Sequence, residues 1–350
     1  MKLWEQNIRK VKPYVPGLQP KEDNIIKLNT NENPYPPAPG VERVMEQMKL
    51  DKLRLYPDYD STELVNELAK EKRVDPEQIF IGVGSDDVLG MAFLTYFNSD
   101  KPVLFPDITY SFYDVWCELY KIPYERPMLD ENFRIVKQDY YKENGGVVIA
   151  NPNAPTSICE STEFIRDILE HNQDVVVIVD EAYVDFGGAS SIDLLKEYDN
   201  LLVVQTFSKS RSLAGLRIGY AIGNKELIEA LNIVKFSYNS YTMNTASIVL
   251  GAEAVRDKEY FQNTVNQIIE QREKTIQELD ELGFTCLDSK ANFVFATHKS
   301  VPAGKIYEEL QKKKIYVRYF NKPRINNFLR ITIGTEEEMN QLIIALGEIL

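Results

Sequence analysis

The chain has 350 residues, of which 44% are hydrophobic and 27% are charged, and its formal net charge is −13. This length and composition are typical of a globular protein with one large domain and a smaller one. The acidic balance argues against a nucleic-acid partner, because neutralising phosphates requires clustered lysine and arginine.

The sequence contains no apolar run long enough to span a membrane, and residues 1–7 lack the apolar core of a signal peptide. Three widely spaced cysteines, Cys117, Cys159 and Cys286, indicate reduced structural thiols. Only two histidines are present, His171 and His298, so we expect no metal site. We therefore predict a cytoplasmic protein that binds no membrane.

Short runs rich in valine and isoleucine alternate with helical patterns through the first two thirds of the chain. We predict strands over residues 78–83, 101–105, 146–150, 175–180, 201–206 and 217–222, with helices between them such as 86–96 and 161–171. This alternation predicts an α/β domain in which helices flank a mainly parallel sheet. The uninterrupted apolar run over residues 175–179 suits a strand buried on both faces.

The C-terminal third has a different pattern. One or two long helices are predicted over residues 242–282, with Gly283 as the stop. Strands over residues 291–296, 315–320 and 328–333, with helices over 303–313 and 336–349, predict a smaller α+β domain. We therefore expect an arm over residues 1–39 that contributes to the small domain and to dimer contacts, a large ligand-binding domain over 40–245 and the small domain over 246–350.

The segment that follows the strand at residues 201–206 carries the strongest chemical signal. It places Ser208 and Lys209 on a loop that also contains Arg217. An amine at the end of a buried strand is poorly solvated, which favours the lowered pKa that Schiff-base chemistry requires. Ser208 and Arg217 could hold a phosphate. A solvated basic turn is the alternative. A lysine at the end of a buried strand, next to residues that could bind a phosphate, nevertheless suggests a pyridoxal phosphate enzyme.

Polar groups also follow other predicted strands, where ligands bind in open α/β sheets. The turn Gly82-Val83-Gly84 leads into Ser85 and Asp86 at the start of a helix, where backbone N–H groups could bind an anion. Asp180 ends the most hydrophobic strand and needs a cationic partner or hydrogen bonds, and a pyridinium nitrogen would supply the cation. Tyr183 could reach the oxygen of such a ring. Taken alone, each of these could be an ordinary helix cap.

Further candidates follow the strand at residues 146–150 and lie near the C-terminus. Residues 151–157 form a rigid turn with two prolines, and a cis bond before Pro155 is a candidate feature. Tyr110 offers an aromatic face for stacking. Arg318 and Arg330 lie in apolar runs and could bind a carboxylate or a phosphate. A structural loop, a core tyrosine and internal ion pairs are the respective alternatives.

Taken in order, these motifs resemble the fold type I pyridoxal phosphate-dependent aminotransferases, whose large domain is aspartate-aminotransferase-like, over nearly the whole chain. The histidinol-phosphate branch is favoured by Lys-Pro-Tyr-x-Pro-Gly at residues 12–17, by Leu-Asn-Thr-Asn-Glu-Asn-Pro at 28–34 and by Leu-Tyr-Pro-Asp at 55–58. The resemblance implies that L-histidinol phosphate and 2-oxoglutarate exchange with imidazole-acetol phosphate and glutamate, as in histidine biosynthesis.

By this resemblance, Lys209 would form a Schiff base with pyridoxal 5'-phosphate, Asp180 would pair with the pyridine nitrogen and Tyr183 would bond the ring oxygen. The other implied cofactor contacts are Ser85, Asp86, Ser208 and Arg217 at the phosphate, Tyr110 stacked on the ring, and Tyr56 from a second subunit. The implied substrate contacts are Tyr14, Arg318 and Arg330, the last of which would also take the carboxylate of glutamate. A homodimer with shared active sites is therefore expected.

One loop departs from the family pattern. The usual Asn-Pro-Thr-Gly is replaced by Ala154-Pro155-Thr156-Ser157. Ala154 cannot bond the ring oxygen, so either Asn153 substitutes for the missing asparagine or Tyr183 acts alone. Ser157 would strain the backbone if this position needs a positive φ.

Three other functions are compatible with the sequence. An aromatic amino-acid aminotransferase shares the scaffold, and threonine-phosphate decarboxylase binds a similar phosphorylated amine. A non-catalytic regulator that binds pyridoxal phosphate is the third. The joint presence of Lys209, Asp180, Arg217 and Arg330 argues against the regulator, because a protein that only binds the cofactor needs no substrate arginine.

Overall fold

The computed structural model describes residues 2–350, which form two β-sheets with helices packed against them. The strands are β1 (Ile26–Leu28), β2 (Ile79–Gly82), β3 (Val103–Leu104), β4 (Tyr124–Glu125), β5 (Gly146–Ala150), β6 (Val177–Asp180), β7 (Leu201–Thr206), β8 (Gly219–Gly223), β9 (Phe284–Cys286), β10 (Phe293–His298), β11 (Ile315–Tyr319) and β12 (Leu329–Thr332). The α-helices are α1 (Leu3–Gln6), α2 (Pro39–Gln47), α3 (Thr62–Lys72), α4 (Ser85–Tyr96), α5 (Phe112–Tyr120), α6 (Thr162–Glu170), α7 (Lys225–Tyr238), α8 (Thr245–Arg256), α9 (Lys258–Glu281), α10 (Ala303–Lys312) and α11 (Glu336–Ile349). No helix within these residues is long and apolar enough to cross a membrane.

The larger sheet has seven strands in the order β2-β8-β7-β6-β5-β3-β4. The pairs from β4 through β7 are parallel, and β8 runs antiparallel to both β2 and β7. The predicted α/β fold with a mainly parallel sheet is therefore confirmed. The strand predicted from residue 217 begins instead at Gly219, because Arg217 adopts a left-handed φ of +52°.

Side chains of the central strands alternate between two helical layers. Val148 of β5, Ile178 of β6 and Leu202 of β7 pack in the cluster formed with α4 and α5. Their neighbours, such as Val147 and Val177, pack on the opposite face with α6. All five side chains are fully buried. Burial of one such side chain stabilises the fold by about 1.5 to 3 kcal/mol, which explains why these strands are apolar at every position.

The smaller sheet has five strands in the order β1-β11-β12-β10-β9. Strand β1 is parallel to β11, and the other pairs are antiparallel. The predicted second α+β unit thus contains two strands that the sequence did not indicate, β1 and β9. The division at residues 39 and 245 stays a prediction, although pairing of β1 with β11 places residues 26–28 in this sheet.

The long helical region after residue 242 consists of two helices, α8 and α9, with Gly283 following at a φ of +85°. The C-terminal helix has the predicted bounds, residues 336–349. The predicted strand at residues 291–296 begins two residues later, because residues 291 and 292 form a bend that leads into β10. The helices α2, α3, α5 and α7 were not individually predicted.

Gly146, the first residue of β5, packs closely against the ring of Phe97, which follows α4. Its φ is +150°, and a Cβ at this position would lie 2.2 Å from Cε1 of the buried Phe97 ring. We expect Gly146→Ala to lower the free energy of unfolding by about 2 to 4 kcal/mol, because the ring must move and the backbone is strained.

Urea unfolding measures this effect, and Gly347→Ala is the matched control. Gly347 lies in α11 with open space around its Cα, so alanine there should stabilise the helix by about 0.5 to 1 kcal/mol. A Gly146→Ala variant as stable as the wild type would contradict the packing described for β5.

Candidate active site

A cavity of about 480 Å³ lies where the carboxyl ends of β5, β6 and β7 face the smaller sheet. Its lining includes side chains from both sheets, from the loop after β7 and from the N-terminal arm. The sequence-predicted residues that line it are Tyr14, Ser85, Asp86, Tyr110, Asp180, Tyr183, Ser208, Lys209, Arg217, Arg318 and Arg330. Asn153 and Tyr56 are not among the lining residues.

Lys209 projects into this cavity from a loop that the N-terminal arm holds in place. Its Nζ donates a hydrogen bond to the carbonyl oxygen of Thr30 at 3.1 Å. The amide of Asn33 donates to the carbonyl oxygens of Lys209 and Ser210, at 3.0 and 3.2 Å. The backbone at Lys209 and Ser210 is therefore held by two hydrogen bonds. The side chain of Lys209 makes one hydrogen bond to a neutral carbonyl oxygen, which a ligand could replace.

Asp180 is buried at the end of β6. Its carboxylate accepts hydrogen bonds from the Tyr113 hydroxyl at 2.8 Å and from the backbone N–H of Ala182 at 3.2 Å. Burial raises the pKa of Asp180 to about 6, although these hydrogen bonds and the charge of Lys209 favour the ionised form. A cation in the cavity would lower this pKa and so favour the ionised carboxylate further.

The N-terminus of α4 and Arg217 form an anion-binding end of the cavity. Arg217 donates to the Ser208 hydroxyl at 3.3 Å and to the Asp86 carboxylate at 3.4 Å, and Asp86 also accepts from the Tyr110 hydroxyl at 2.7 Å. A Cβ on Gly219 would lie 2.2 Å from the backbone nitrogen of Ser85. Only glycine thus allows β8 to approach the helix end, whose N–H groups and neighbouring guanidinium suit a phosphate.

Two arginines from the smaller sheet face the cavity. Arg330 donates to the carbonyl oxygen of Asn29 at 2.9 Å, while its buried Nε has no partner among residues 2–350. In this described part of the chain, neither Arg318 nor Arg330 has a carboxylate within 4.0 Å. Burial lowers the pKa of Arg330, and the like charge of Arg318 lowers it further. Internal ion pairs therefore do not explain these arginines, and an anionic ligand would.

Tyr14 covers the cavity from the arm. Its ring stacks on Phe112 with the centroids 4.4 Å apart and is tilted against Tyr110 at 6.2 Å. Burial raises the pKa of Tyr14, and the nearby charges of Arg318 and Arg330 partly offset this effect. The tyrosine therefore remains a neutral hydroxyl beside the two arginines.

The structure does not bring Asn153 into the cavity. Its amide donates to the carbonyl oxygen of Ile108 at 3.0 Å and to the Thr156 hydroxyl at 2.9 Å, and its oxygen accepts from Thr109 at 2.7 Å. Both ends of its amide hold the loop together, and its role at the ring oxygen stays a prediction. The neighbouring Ala154 lines the cavity instead.

The same loop has the predicted backbone features. The peptide bond before Pro155 is cis, as is the one before Pro152. Ser157 has a φ of +66°, so this position does require the left-handed region that glycine adopts more readily.

Tyr56 lies on the surface, 81% exposed, and its ring packs against Tyr241 with the centroids 4.6 Å apart. Within one chain it contributes nothing to the cavity.

The asparagine-rich tract at residues 29–33, which was predicted only as a family motif, also contributes to the cavity. Asn31 has a φ of +57° and is 1% exposed, and its amide donates to the Tyr183 hydroxyl at 3.0 Å. The signal available in the sequence was the repetition of asparagine, which tolerates left-handed backbone better than most residues. The contacts of these side chains are made with both sheets, because the arm runs between them.

The residues of the cavity fit pyridoxal phosphate. The helix end with Arg217 suits its phosphate, the buried Asp180 suits its pyridine nitrogen, Tyr183 suits its ring oxygen and Lys209 suits its aldehyde. Gly84 allows the Arg217 guanidinium to lie against the helix end, because a Cβ on Gly84 would be 2.3 Å from that group.

Comparison with known proteins agrees with this geometry. The family model for aminotransferase class I and II matches residues 23–346. The chain is 51% identical over 349 residues to the histidinol-phosphate aminotransferase of Clostridium beijerinckii, covering 100% of this chain and 98% of that protein. It is 50% identical over 340 residues to the histidinol-phosphate aminotransferase of Lactococcus lactis subsp. lactis, covering 97% and 94% of the two chains.

Solved structures show the same fold. The histidinol-phosphate aminotransferase of Clostridium acetobutylicum superposes with a TM-score of 0.86 at 22% identity, covering 93% of this chain and 99% of that one. The enzyme of that name from Sinorhizobium meliloti, solved in complex with pyridoxal-5'-phosphate, gives 0.84 at 22% identity, covering 93% and 90%.

Burial of Asp180 predicts a pH-dependent gain in stability for Asp180→Asn. The folded-state pKa lies above the ordinary value, so the stability contributed by Asp180 is fully present below about pH 4 and is lost as the pH rises through about 6. In the cofactor-free protein, we expect Asp180→Asn to exceed the wild type by about 1 to 3 kcal/mol at pH 8 and to lose that advantage near pH 4.

Urea unfolding at the two pH values measures this difference. Asp193→Asn is the control, because Asp193 is exposed, and it should change stability by less than about 0.5 kcal/mol at either pH. An Asp180→Asn effect that is equal at both pH values would show that the carboxylate is not penalised by burial.

Proposed function

The chain belongs to the class I and II aminotransferases and, within them, to the histidinol-phosphate aminotransferases, and from this membership we propose its reaction. It is a pyridoxal phosphate-dependent enzyme of histidine biosynthesis that exchanges L-histidinol phosphate and 2-oxoglutarate for imidazole-acetol phosphate and glutamate. The observation that carries the proposal is a single cavity in which Lys209 and Asp180 lie opposite two arginines that lack carboxylate partners within the described residues.

When bound, pyridoxal phosphate supplies an aldehyde for amine exchange and a protonated ring that accepts the electron pair of the substrate Cα–H bond. Asp180 keeps the ring nitrogen protonated, because its buried carboxylate is stabilised by a nearby cation. Arg217, Ser208 and the N-terminus of α4 would hold the phosphate, and Tyr183 would donate to the ring oxygen.

Lys209 carries the proton in both half-reactions. With the cofactor bound, its Nζ would hold the aldehyde. When the amine is free, it would take the proton from the substrate Cα as a general base and deliver it as a general acid to the aldehyde carbon of the cofactor. The anchored backbone of Lys209 fixes where this transfer happens, while its side chain can leave the Thr30 carbonyl.

Arg318, Arg330 and Tyr14 bind the anionic group of each substrate. The phosphate of histidinol phosphate and the carboxylates of glutamate carry charge that the two guanidinium groups complement. The covering Tyr14 ring excludes water from this end. One arginine pair therefore serves both half-reactions.

We further propose a homodimer with shared active sites. Tyr56, Tyr59, Phe236 and Tyr241 form an exposed aromatic cluster with centroid distances of 4.6, 5.8 and 6.4 Å. Exposed aromatic clusters of this kind are typical of protein interfaces. The position of Tyr56 outside its own cavity supports a role in the site of the second subunit, at the cofactor phosphate.

Removal of a substrate arginine should lower kcat/KM for both substrates. Loss of a charge-assisted hydrogen bond of about 1.5 to 3 kcal/mol corresponds to a factor of about 10 to 150. We expect Arg330→Gln to reach this range with L-histidinol phosphate and with glutamate, and the surface variant Arg256→Gln to leave both values unchanged.

Single-turnover spectroscopy of the wild type decides the substrate class. Fast reaction with histidinol phosphate and glutamate but slow reaction with L-phenylalanine supports the proposal. Equal rates would make the protein a broad aromatic aminotransferase, and release of CO₂ from a phosphorylated amino acid would make it a decarboxylase. Normal turnover by Lys209→Ala would end the proposal.

Shared active sites predict complementation between two defective variants. Lys209→Ala should be inactive, and Tyr56→Phe should hold pyridoxal phosphate about tenfold more weakly, because a hydrogen bond to a charged group is lost. Mixed dimers contain one site with neither defect, so mixing the two at limiting cofactor should restore activity.

Tyr238→Phe is the control for Tyr56→Phe, since it removes a hydroxyl from another exposed tyrosine outside the aromatic cluster. Sedimentation of a monomer, or absence of complementation after subunit exchange, would contradict the shared site.

A further inference from the structure

We propose that Asn31 is a positioning residue for Tyr183, whose hydroxyl proton it turns toward the cofactor's ring oxygen in a chain that lacks the family asparagine at position 154. The inference rests on the proposed function and goes beyond it, because Asn31 belongs to the arm and not to the loop where the missing side chain would lie. The evidence is the hydrogen bond between Asn31 and Tyr183, in which Asn31 is the donor.

The hydrogen bond joins the buried Asn31 of the arm to the half-buried Tyr183 after β6. The Nδ2 atom of Asn31 lies 3.0 Å from the Tyr183 hydroxyl oxygen. Asn31 is 1% exposed and lines the cavity together with Tyr183. Its φ of +57° turns the side chain toward the larger sheet, and its backbone oxygen accepts from the Asn292 amide at 3.0 Å.

Thr332 fixes the direction of the Asn31 amide. The Thr332 hydroxyl oxygen accepts from the backbone N–H of Asn31 at 3.0 Å, which leaves the hydroxyl proton to be donated to Oδ1 of Asn31, also at 3.0 Å. Because Oδ1 is occupied by this donor, the NH₂ group must face Tyr183. The tyrosine oxygen is therefore an acceptor from Asn31, and its own proton points elsewhere, toward the cavity.

The loop after β5 explains why this orientation matters in this chain. The Ala154 methyl group packs in one small cluster with Phe293, Ala291 and the Tyr183 ring. It offers no donor, and Asn153 is engaged within its own loop. Tyr183 therefore has to supply the hydrogen bond to the ring oxygen, and a hydroxyl oriented in advance is a better donor than one that rotates.

Charged and titratable groups face Tyr183 from several elements. Lys209 on the loop after β7 lies with Nζ 5.7 Å from the Tyr183 ring centroid. Arg330 on β12, Tyr14 on the arm and Tyr113 on α5 also interact electrostatically with it. None of them is altered in the variants below, so their influence is common to all measurements.

The test is a pH titration of the visible absorption band of the holoenzyme, which follows protonation of the nitrogen that joins Lys209 to the cofactor. A donor to the ring oxygen withdraws negative charge from that nitrogen and lowers the midpoint. We expect Asn31→Gly to raise the midpoint by about 0.5 to 1 pH unit, as the loss of one hydrogen bond implies. Glycine is chosen because it adopts a φ of +57° without strain.

The effect must depend on Tyr183. In a Tyr183→Phe background, Asn31→Gly should cause no further shift. The control Asn24→Gly replaces an exposed asparagine with the similar φ of +54° and should leave the midpoint at the wild-type value. An unchanged midpoint in Asn31→Gly, or an equal shift with and without the Tyr183 hydroxyl, would overturn the inference.

Asn31→Asp covers the case in which the glycine variant does not fold. Aspartate tolerates the same backbone and still accepts from Thr332, but it presents an acceptor to Tyr183 and should also raise the midpoint. An unchanged midpoint in this variant would overturn the inference as well. In Asn31→Gly, the added substitution Ala154→Asn should return the midpoint toward the wild-type value. Residue 154 lies beside Tyr183, so its new amide would supply a donor near the ring oxygen.

The titration also separates two kinds of failure. A wild-type protein that forms no visible band with pyridoxal phosphate would refute the proposed function. A normal band that Asn31 does not influence would refute only the positioning role.

Discussion

The burial of one carboxylate is the constraint on which the rest of the cavity depends. Asp180 ends a strand that is covered by helices on both faces, and burial raises its pKa to about 6. Tyr113 and the Ala182 N–H stabilise the ionised form only in part. A carboxylate in this position favours a cationic ligand, and the protonated pyridine of the cofactor would provide one. The other residues proposed to hold the cofactor lie around the same end of the sheet.

The N-terminal arm connects this sheet to the smaller one. Strand β1 pairs with β11, and the few residues that follow it contact functional groups from both sheets. Asn29 accepts from Arg330, Thr30 accepts from Lys209 and Asn31 donates to Tyr183. A short stretch of polar residues thus sets the relative positions of Arg330, Lys209 and Tyr183. These hydrogen bonds fix the positions of side chains that come from distant parts of the chain.

Much of the fold could be predicted because burial on both faces forces a strand to be apolar at every position. The runs at residues 146–150 and 201–206 have the predicted bounds for this reason. Strands β1 and β9 are only three residues long and were missed, since they become strands only by pairing with β11 and β10. The contacts of Asn153 could not be predicted for a related reason, because its neighbours in space, Ile108 and Thr109, cannot be identified from its neighbours in sequence.

The sequence by itself determined which residue types follow the buried strands, and therefore the class of cofactor and the lysine that serves it. Strand ends of a parallel sheet share one edge, so residues far apart in the chain could be assigned to one site. Only the tertiary structure decided which polar groups have partners and which remain available. Among residues 2–350, Arg330 has no carboxylate partner and Asn31 is aimed at Tyr183, and both follow from the approach of the arm and of the smaller sheet. Hydrogen bonds depend on distances of a few tenths of an ångström, and contacts between distant segments set those distances.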